Sequence, residues 1–259
     1  MKMKYQDLRK NGETVVHTSK IEVLEYDGIA YKLFDKSFPR TQVFYEAMLQ
    51  TKAEEQGIRV PKIYGVEQID DRLAIVSEYI EGQTVFELMD EHPAKKDYYL
   101  NILLDTQLSI NAHVVGDIVK LKHKIGREIK KLSFIDDIKR YELETRLASM
   151  PKHNKLCHGN FGPENVMIDG MDKVIVLDWV ASSRGNAGAD VAKTYLKLTL
   201  ISTELAERYI TLFCQKSGYD RQYVYEWLPL IAACGLGEKN ISESEKAVML
   251  SWLDVVNND

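Results

Sequence analysis

The chain has 259 residues, with 34 Lys and Arg against 39 Asp and Glu, for a formal charge of −5. Hydrophobic residues make up 45% and charged residues 28%, the balance of a globular chain of one large or two small lobes. This mild acidity argues against a dedicated nucleic-acid face. The longest apolar stretches, such as Leu228 to Leu236, fall far short of a membrane span, and the start Met1-Lys2-Met3-Lys4 turns polar too soon for a signal peptide. Cys157, Cys214 and Cys234 are scattered and form no metal-ligand pair. They fit a reduced, cytoplasmic setting.

The first ninety residues read as strands with one helix. Glu13 to Thr18 and Ile21 to Tyr26 are β-prone runs, and Asp27-Gly28 then marks a two-residue hairpin, because Gly tolerates the positive φ such turns need. Ile29 to Phe34 is a third strand. Thr41 to Gln56 is a helix, with Thr41 as its cap and Gly57 at its end. Val60 to Gly65 and Leu73 to Tyr79 are further strands, and Glu81-Gly82 breaks the pattern.

Beyond that point the sequence is mostly helical. Ile118, Leu121, Ile125, Ile129 and Leu132 recur at three- and four-residue steps, marking an amphipathic helix. Residues 98–113, 134–149, 189–200, 203–217, 220–234 and 243–255 read similarly. This predicts a β-rich N-terminal lobe over residues 1–81 and a helical C-terminal lobe over residues 82–259, an α+β plan.

One segment inside the helical region stands apart. Leu156-Cys157-His158-Gly159-Asn160-Phe161-Gly162-Pro163-Glu164-Asn165 leads into the apolar run Val166-Met167-Ile168, and a second apolar run, Val174 to Leu177, ends in Asp178. Taken alone, Asn165 could be a turn residue and Asp178 a helix cap.

In order and spacing, this segment resembles the aminoglycoside phosphotransferase and choline kinase superfamily. Tyr31 to Phe34, Val60 to Gly65, Ser77 to Gly82 and Leu177 to Thr194 carry the rest of the likeness, which spans nearly the whole chain. The resemblance implies a two-lobed protein-kinase-like fold and ATP- and Mg²⁺-dependent phosphorylation of a small molecule. Lys32 then corresponds to the lysine that grips the α- and β-phosphates, and Glu46 to its ion-pair partner, with Glu54 and Glu55 as competitors. Asn165 and Asp178 correspond to the magnesium ligands. His158 braces the catalytic loop, and Asp190 starts a helix that ties the loop down. Around Glu78 and Ile80 the backbone would read the base. In the loop His17-Thr18-Ser19-Lys20, which lacks Gly, Ser19 is a candidate for covering the phosphates, and an ordinary hairpin turn is the competing reading.

Three positions depart from the family pattern. Asn160 stands where the catalytic Asp is expected, Gly162 where a His is common, and Gly185-Asn186-Ala187 where Gly-Asp-Pro is usual. General base catalysis contributes on the order of 10²–10⁴-fold, and an amide cannot supply it. A slow kinase and a pseudokinase-like nucleotide or metabolite binder therefore both remain open. Glu164 is the nearest alternative carboxylate. For the acceptor, Glu204, Glu207, Glu226, Glu238, Glu243 and Glu245 with Tyr223, Tyr225 and Trp227 would suit a cationic amine. Exposed helix charges and core aromatics are the plainer reading of the same residues.

Overall fold

In the computed structural model, residues 4–238 and 241–253 are described. The chain divides into two compact units. One runs to Glu87 and takes in Glu164–Val180; the other holds Leu88–Pro163 and the chain from Ala181 on.

The first unit is built on an antiparallel sheet. Its strands are β1 (Glu13–His17), β2 (Ile21–Tyr26), β3 (Ile29–Phe34), β4 (Ile63–Ile69) and β5 (Arg72–Glu78), in the order β1-β2-β3-β5-β4. The β2–β3 turn has Asp27 at φ 54 and Gly28 at φ 72, the double positive φ of a type I′ hairpin. Helix α2 (Arg40–Glu55) lies on one face, where Val43 and Ala47 pack with Phe34 and Ile75. Its cap position is Pro39 rather than Thr41. The expected strand over Val60 to Gly65 starts only at Ile63; Pro61 lacks the N–H a ladder needs.

Two further pieces of this unit escaped the sequence reading. Helix α1 (Tyr5–Asn11) buries only Leu8, which joins Leu24, Tyr31, Leu33 and Ile69 on the sheet. Beside it Glu22, 2% exposed, is paired with Arg9 at 3.1 Å and Arg72 at 3.2 Å. The second piece is strand β6 (Gly82–Thr84), which pairs with β8 (Val166–Asp169), itself paired with β9 (Val174–Val176). Val176 N–H donates to the Arg59 carbonyl at 3.0 Å and Arg59 bridges to Asp169 at 3.0 Å, tying this small sheet to the segment before β4. Helix α3 (Val85–Glu91) follows β6.

The second unit is helical: α4 (Lys96–Ala112), α5 (Leu121–Lys131), α6 (Asp137–Ser149), α7 (Ala187–Ile201), α8 (Thr203–Ser217), α9 (Arg221–Tyr225), α10 (Leu228–Leu236) and α11 (Glu243–Leu253). The stretch expected as one helix over 220–234 is two, because Pro229 sits in the first turn of α10. Of the helix expected over 243–255, residues 254 and 255 lie outside the described residues. Strands β7 (Lys155–Cys157) and β10 (Ser183–Gly185) form a short antiparallel pair. Tyr209, Phe213, Trp227 and Leu230 are buried at the centre. Among the described residues no helix is long and apolar enough to cross a membrane.

Candidate functional site

In the first unit, strand pairing brings four of the expected residues into one neighbourhood. Lys32 on β3 forms an ion pair with Glu46 on α2, so Glu54 and Glu55 do not take that place. Glu46 is 6% exposed. Burial pushes its carboxyl above the usual range, the Lys32 ammonium pulls it back, and the Asp178 carboxylate pushes it up again. Asp178 therefore lies close enough to the Lys32–Glu46 pair to be felt.

The β8–β9 hairpin sets Asn165 against Asp178. Val166 pairs with Val176, and one step outward Leu177 N–H donates to the Asn165 carbonyl at 2.9 Å. Asp178 follows at φ 59, a left-handed backbone that a non-Gly residue adopts only when its surroundings enforce it. The hairpin brings the backbones of Asn165 and Asp178 close, and both carry hard oxygen side chains of the kind Mg²⁺ takes beside phosphate and water. Among the described residues no group of three or more His, Cys, Asp and Glu gathers into a different metal site.

The remaining residues of this unit are placed as follows. Glu78 ends β5, and its N–H donates to the Lys62 carbonyl at 2.8 Å. Tyr79 N–H is taken by the Gly28 carbonyl at 3.1 Å. Ile80 is buried, and among the described residues its amide makes no backbone hydrogen bond. The β1–β2 turn is closed by Thr18, whose Oγ1 accepts from Ile21 N–H at 2.9 Å and Lys20 N–H at 3.3 Å. Those amides serve the turn, and Ser19 sits exposed at its tip.

In the second unit, the loop after β7 is held through its backbone. Asp190, 3% exposed on the first turn of α7, accepts from Gly159 N–H at 2.7 Å and His158 N–H at 3.1 Å. The Asn111 amide also donates to it, at 3.2 Å. Asp190 is not the helix cap. Asn186 is, accepting from Gly188 N–H at 2.8 Å, so the Asn at this departure keeps the oxygen an Asp would offer. His158 is fully buried and its Nδ1 accepts from Asn160 N–H at 3.2 Å. Gly159 has φ +76, and a Cβ there would lie 2.3 Å from the Ala181 carbonyl oxygen. The Asn160 carbonyl accepts from Lys197 at 3.0 Å, and Thr194 donates to the Phe161 carbonyl at 3.2 Å. Cys157 beside the loop is a packed thiol; burial pushes its pKa far up.

Asn160 opens onto a cavity of about 480 Å³ within this unit, lined by α5, α7, α10 and α11. That is ample for a small molecule. Its charged lining is Lys124, Lys193, Lys197, Glu128, Glu238, Glu245 and Asp190. Burial pushes Lys124 down to about 8, Lys193 pushes it further, and Asp190 and Glu128 oppose both. Burial likewise raises the Cys234 thiol to about 12. None of the three lysines is among the residues expected from the sequence. Their signals were present: Lys193 and Lys197 share a helix face with Asp190, and Lys124 lies between Leu121 and Ile125 on the apolar stripe of α5.

Of the residues named for a cationic acceptor, only Glu238 and Glu245 line this cavity. Trp227 is core, Tyr223 donates to Asn186, and Glu207 is engaged by Arg221 and Tyr195. Glu164 is exposed.

A Lys–Glu pair between a five-stranded antiparallel sheet and its helix, an Asn and Asp bracketing a hairpin, and a His-Gly loop in a helical unit define a protein-kinase-like fold. The chain belongs to the phosphotransferase enzyme family, which matches residues 31–227, within the aminoglycoside phosphotransferase and choline kinase superfamily. Among solved structures, the unliganded form of a thermostable aminoglycoside phosphotransferase APH(4)-Ia superposes with a TM-score of 0.70 at 14% identity, over 95% of this chain and 94% of that one. The choline kinase LicA from Streptococcus pneumoniae gives 0.63 at 15% identity, over 97% and 96%. A choline/ethanolamine kinase family protein from Mesorhizobium loti gives 0.63 at 13%, over 95% and 86%. At these identities the likeness shows the fold. No curated protein sequence matches the chain.

Proposed function

We propose that the chain is an ATP- and Mg²⁺-dependent phosphotransferase acting on a hydroxyl of a small molecule. The observation that carries this reading is the Lys32–Glu46 ion pair with the Asp178 carboxylate beside it. In this reading residues 1–81 bind the nucleotide and residues 82–259 carry the catalytic loop and the acceptor site. Lys32 grips the phosphates and Glu46 orients it. The backbone at Glu78 and Ile80 meets the adenine, and the Ser19 hydroxyl is what the β1–β2 turn offers to phosphate. Asn165 and Asp178 would hold Mg²⁺, which neutralises phosphate charge when bound.

Asp190 and His158 fix the loop so that Asn160 has a defined place. The Asn160 side-chain oxygen can accept a hydrogen bond from the acceptor hydroxyl and align it. Phosphoryl transfer through a loose transition state leaves that hydroxyl protonated until late, so alignment retains part of the catalytic effect. The three free cysteines fit a reducing, cytoplasmic setting.

A second reading, a binder of nucleotide or metabolite with impaired turnover, is favoured by Asn160 itself. The test has two steps. Thermal melting with ATP and Mg²⁺ is compared between wild type and the double variant Asn165→Ala, Asp178→Ala. A shift confined to wild type is expected; no shift in wild type would sink the enzyme and the nucleotide binder alike. ADP formation over a set of hydroxylated small molecules is then compared between wild type and Asn160→Asp. Turnover in wild type supports the enzyme, and turnover only in the Asp variant supports the binder.

A further inference from the structure

We propose that the cavity at Asn160 takes an anionic acceptor: a small hydroxylated compound whose carboxylate or phosphate group pairs with Lys124. The proposal rests on the phosphotransferase reading only in calling this cavity the acceptor site.

The walls supply the argument. Each lining carboxylate has a partner of its own. Asp190 accepts the loop amides of His158 and Gly159, and Glu238 pairs with Lys193 at 3.4 Å. Glu128 pairs with Lys131 at 2.9 Å, and Glu245 accepts from both the N–H and the hydroxyl of Ser242 at 2.7 Å. Lys124 differs. Its ammonium donates to the Ala181 carbonyl, and among the described residues no carboxylate lies within salt-bridge distance of it. A cation at the wall of a cavity, short of a counter-ion, suits a ligand that brings one.

The composition of the walls points the same way. Trimethylammonium and amine ligands are recognised by aromatic faces, and among the described residues no aromatic side chain lines this cavity. Asn160 adds to the case, because an Asp at that position would place a negative charge on the wall that an anion has to approach.

Proton linkage gives the idea a signature. The groups facing Lys124 are Lys193, Lys197 and Asp190 from α7, Glu128 from its own helix, Cys234 from α10, Glu238 just beyond α10, and Glu245 from α11. Below about pH 8 Lys124 is already protonated, and anion affinity is flat with pH. Above it the free protein loses the proton, and affinity falls about tenfold for each further pH unit until the bound-state pKa is reached.

The test uses three-carbon alcohols that differ in charge: glycerate, glycerol and serinol, with inorganic phosphate as a minimal anion. Lysines of the full chain are labelled as ¹³C-dimethylamines, and the Lys124 signal is assigned by its loss in Lys124→Arg. Glycerate and phosphate are expected to shift the Lys124 signal and raise its titration midpoint, while serinol and glycerol leave it in place. By calorimetry, Lys124→Met should lose glycerate affinity about tenfold or more. Lys124→Arg should keep it while losing the fall above pH 8, because a guanidinium stays charged. A Lys124 signal unmoved by both anions, or serinol binding more tightly than glycerate, overturns the proposal. Loss of the ATP and Mg²⁺ melting shift would instead sink the phosphotransferase reading and leave the anion site standing.

Discussion

Replacing Lys124 by Met should make the protein more stable while disabling the site. Lys124 is drawn from its ordinary 10.5 to about 8, chiefly by burial. At about 1.4 kcal/mol per tenfold, holding its charge in place costs about 3 kcal/mol. Met keeps the length and the apolar stem and removes the charge. It also removes the charge-assisted bond to the Ala181 carbonyl, worth about 2 kcal/mol. The net expectation is a gain of about 1 kcal/mol at pH 7, at a position where the proposed ligand would bind. The pH dependence fixes the cause. Below pH 8 the lysine is protonated both folded and unfolded, and the full penalty is present. Between about 8 and 10.5 the folded form sheds its proton while the unfolded chain keeps it, so wild type gains stability with rising pH and catches up. Urea unfolding followed by circular dichroism at pH 7 and pH 10 measures both. A variant less stable than wild type at pH 7, or a difference that does not change with pH, would refute the reasoning.

Asp190→Ala strands two buried loop amides and should cost about 3–4 kcal/mol in urea unfolding; a loss under about 1 kcal/mol would mean water or another group satisfies them. Gly159→Ala meets both a left-handed φ and the Ala181 carbonyl, and should lower stability by about 2–3 kcal/mol, read as a drop in melting temperature. Lys32→Met leaves Glu46 buried without its cation, so ATP and Mg²⁺ affinity should fall about tenfold or more in a fluorescence titration. Unchanged affinity would remove Lys32 from the nucleotide site.

What could be read from the sequence depended on how local the determinant is. Asp27-Gly28 announces its hairpin because few residue pairs tolerate two positive φ values. Lys32 and Glu46 were legible only through the family resemblance, which left Glu54 and Glu55 as competitors, and it is the ion pair in the structure that picks out Glu46. By contrast α1 has a single buried anchor, Leu8, and strands β6, β7 and β10 are three residues each, formed only because a distant partner strand is there. At the start of α7, Asp190 and Asn186 both offer an oxygen, and only the tertiary position of the loop amides shows that Asp190 takes the loop while Asn186 caps the helix. The cavity lysines lie on two helices, with Lys124 and Lys193 more than sixty positions apart, and no window of sequence brings Lys124 to Asn160.

The departure at residue 160 can be separated from the fold by the same geometry. The loop is held through the amides of His158 and Gly159, the amide and carbonyl of Asn160, and the carbonyl of Phe161. At 160 these bonds are made by backbone atoms, and exchanging Asn for Asp there changes the charge on the cavity wall. That change acts on Lys124, which lines the same cavity. With an Asp at 160 the lysine would gain a carboxylate across the cavity and hold its proton to higher pH. With Asn160 that charge is absent from the wall, the setting in which the proposed anionic acceptor would bring the counter-ion for Lys124 itself.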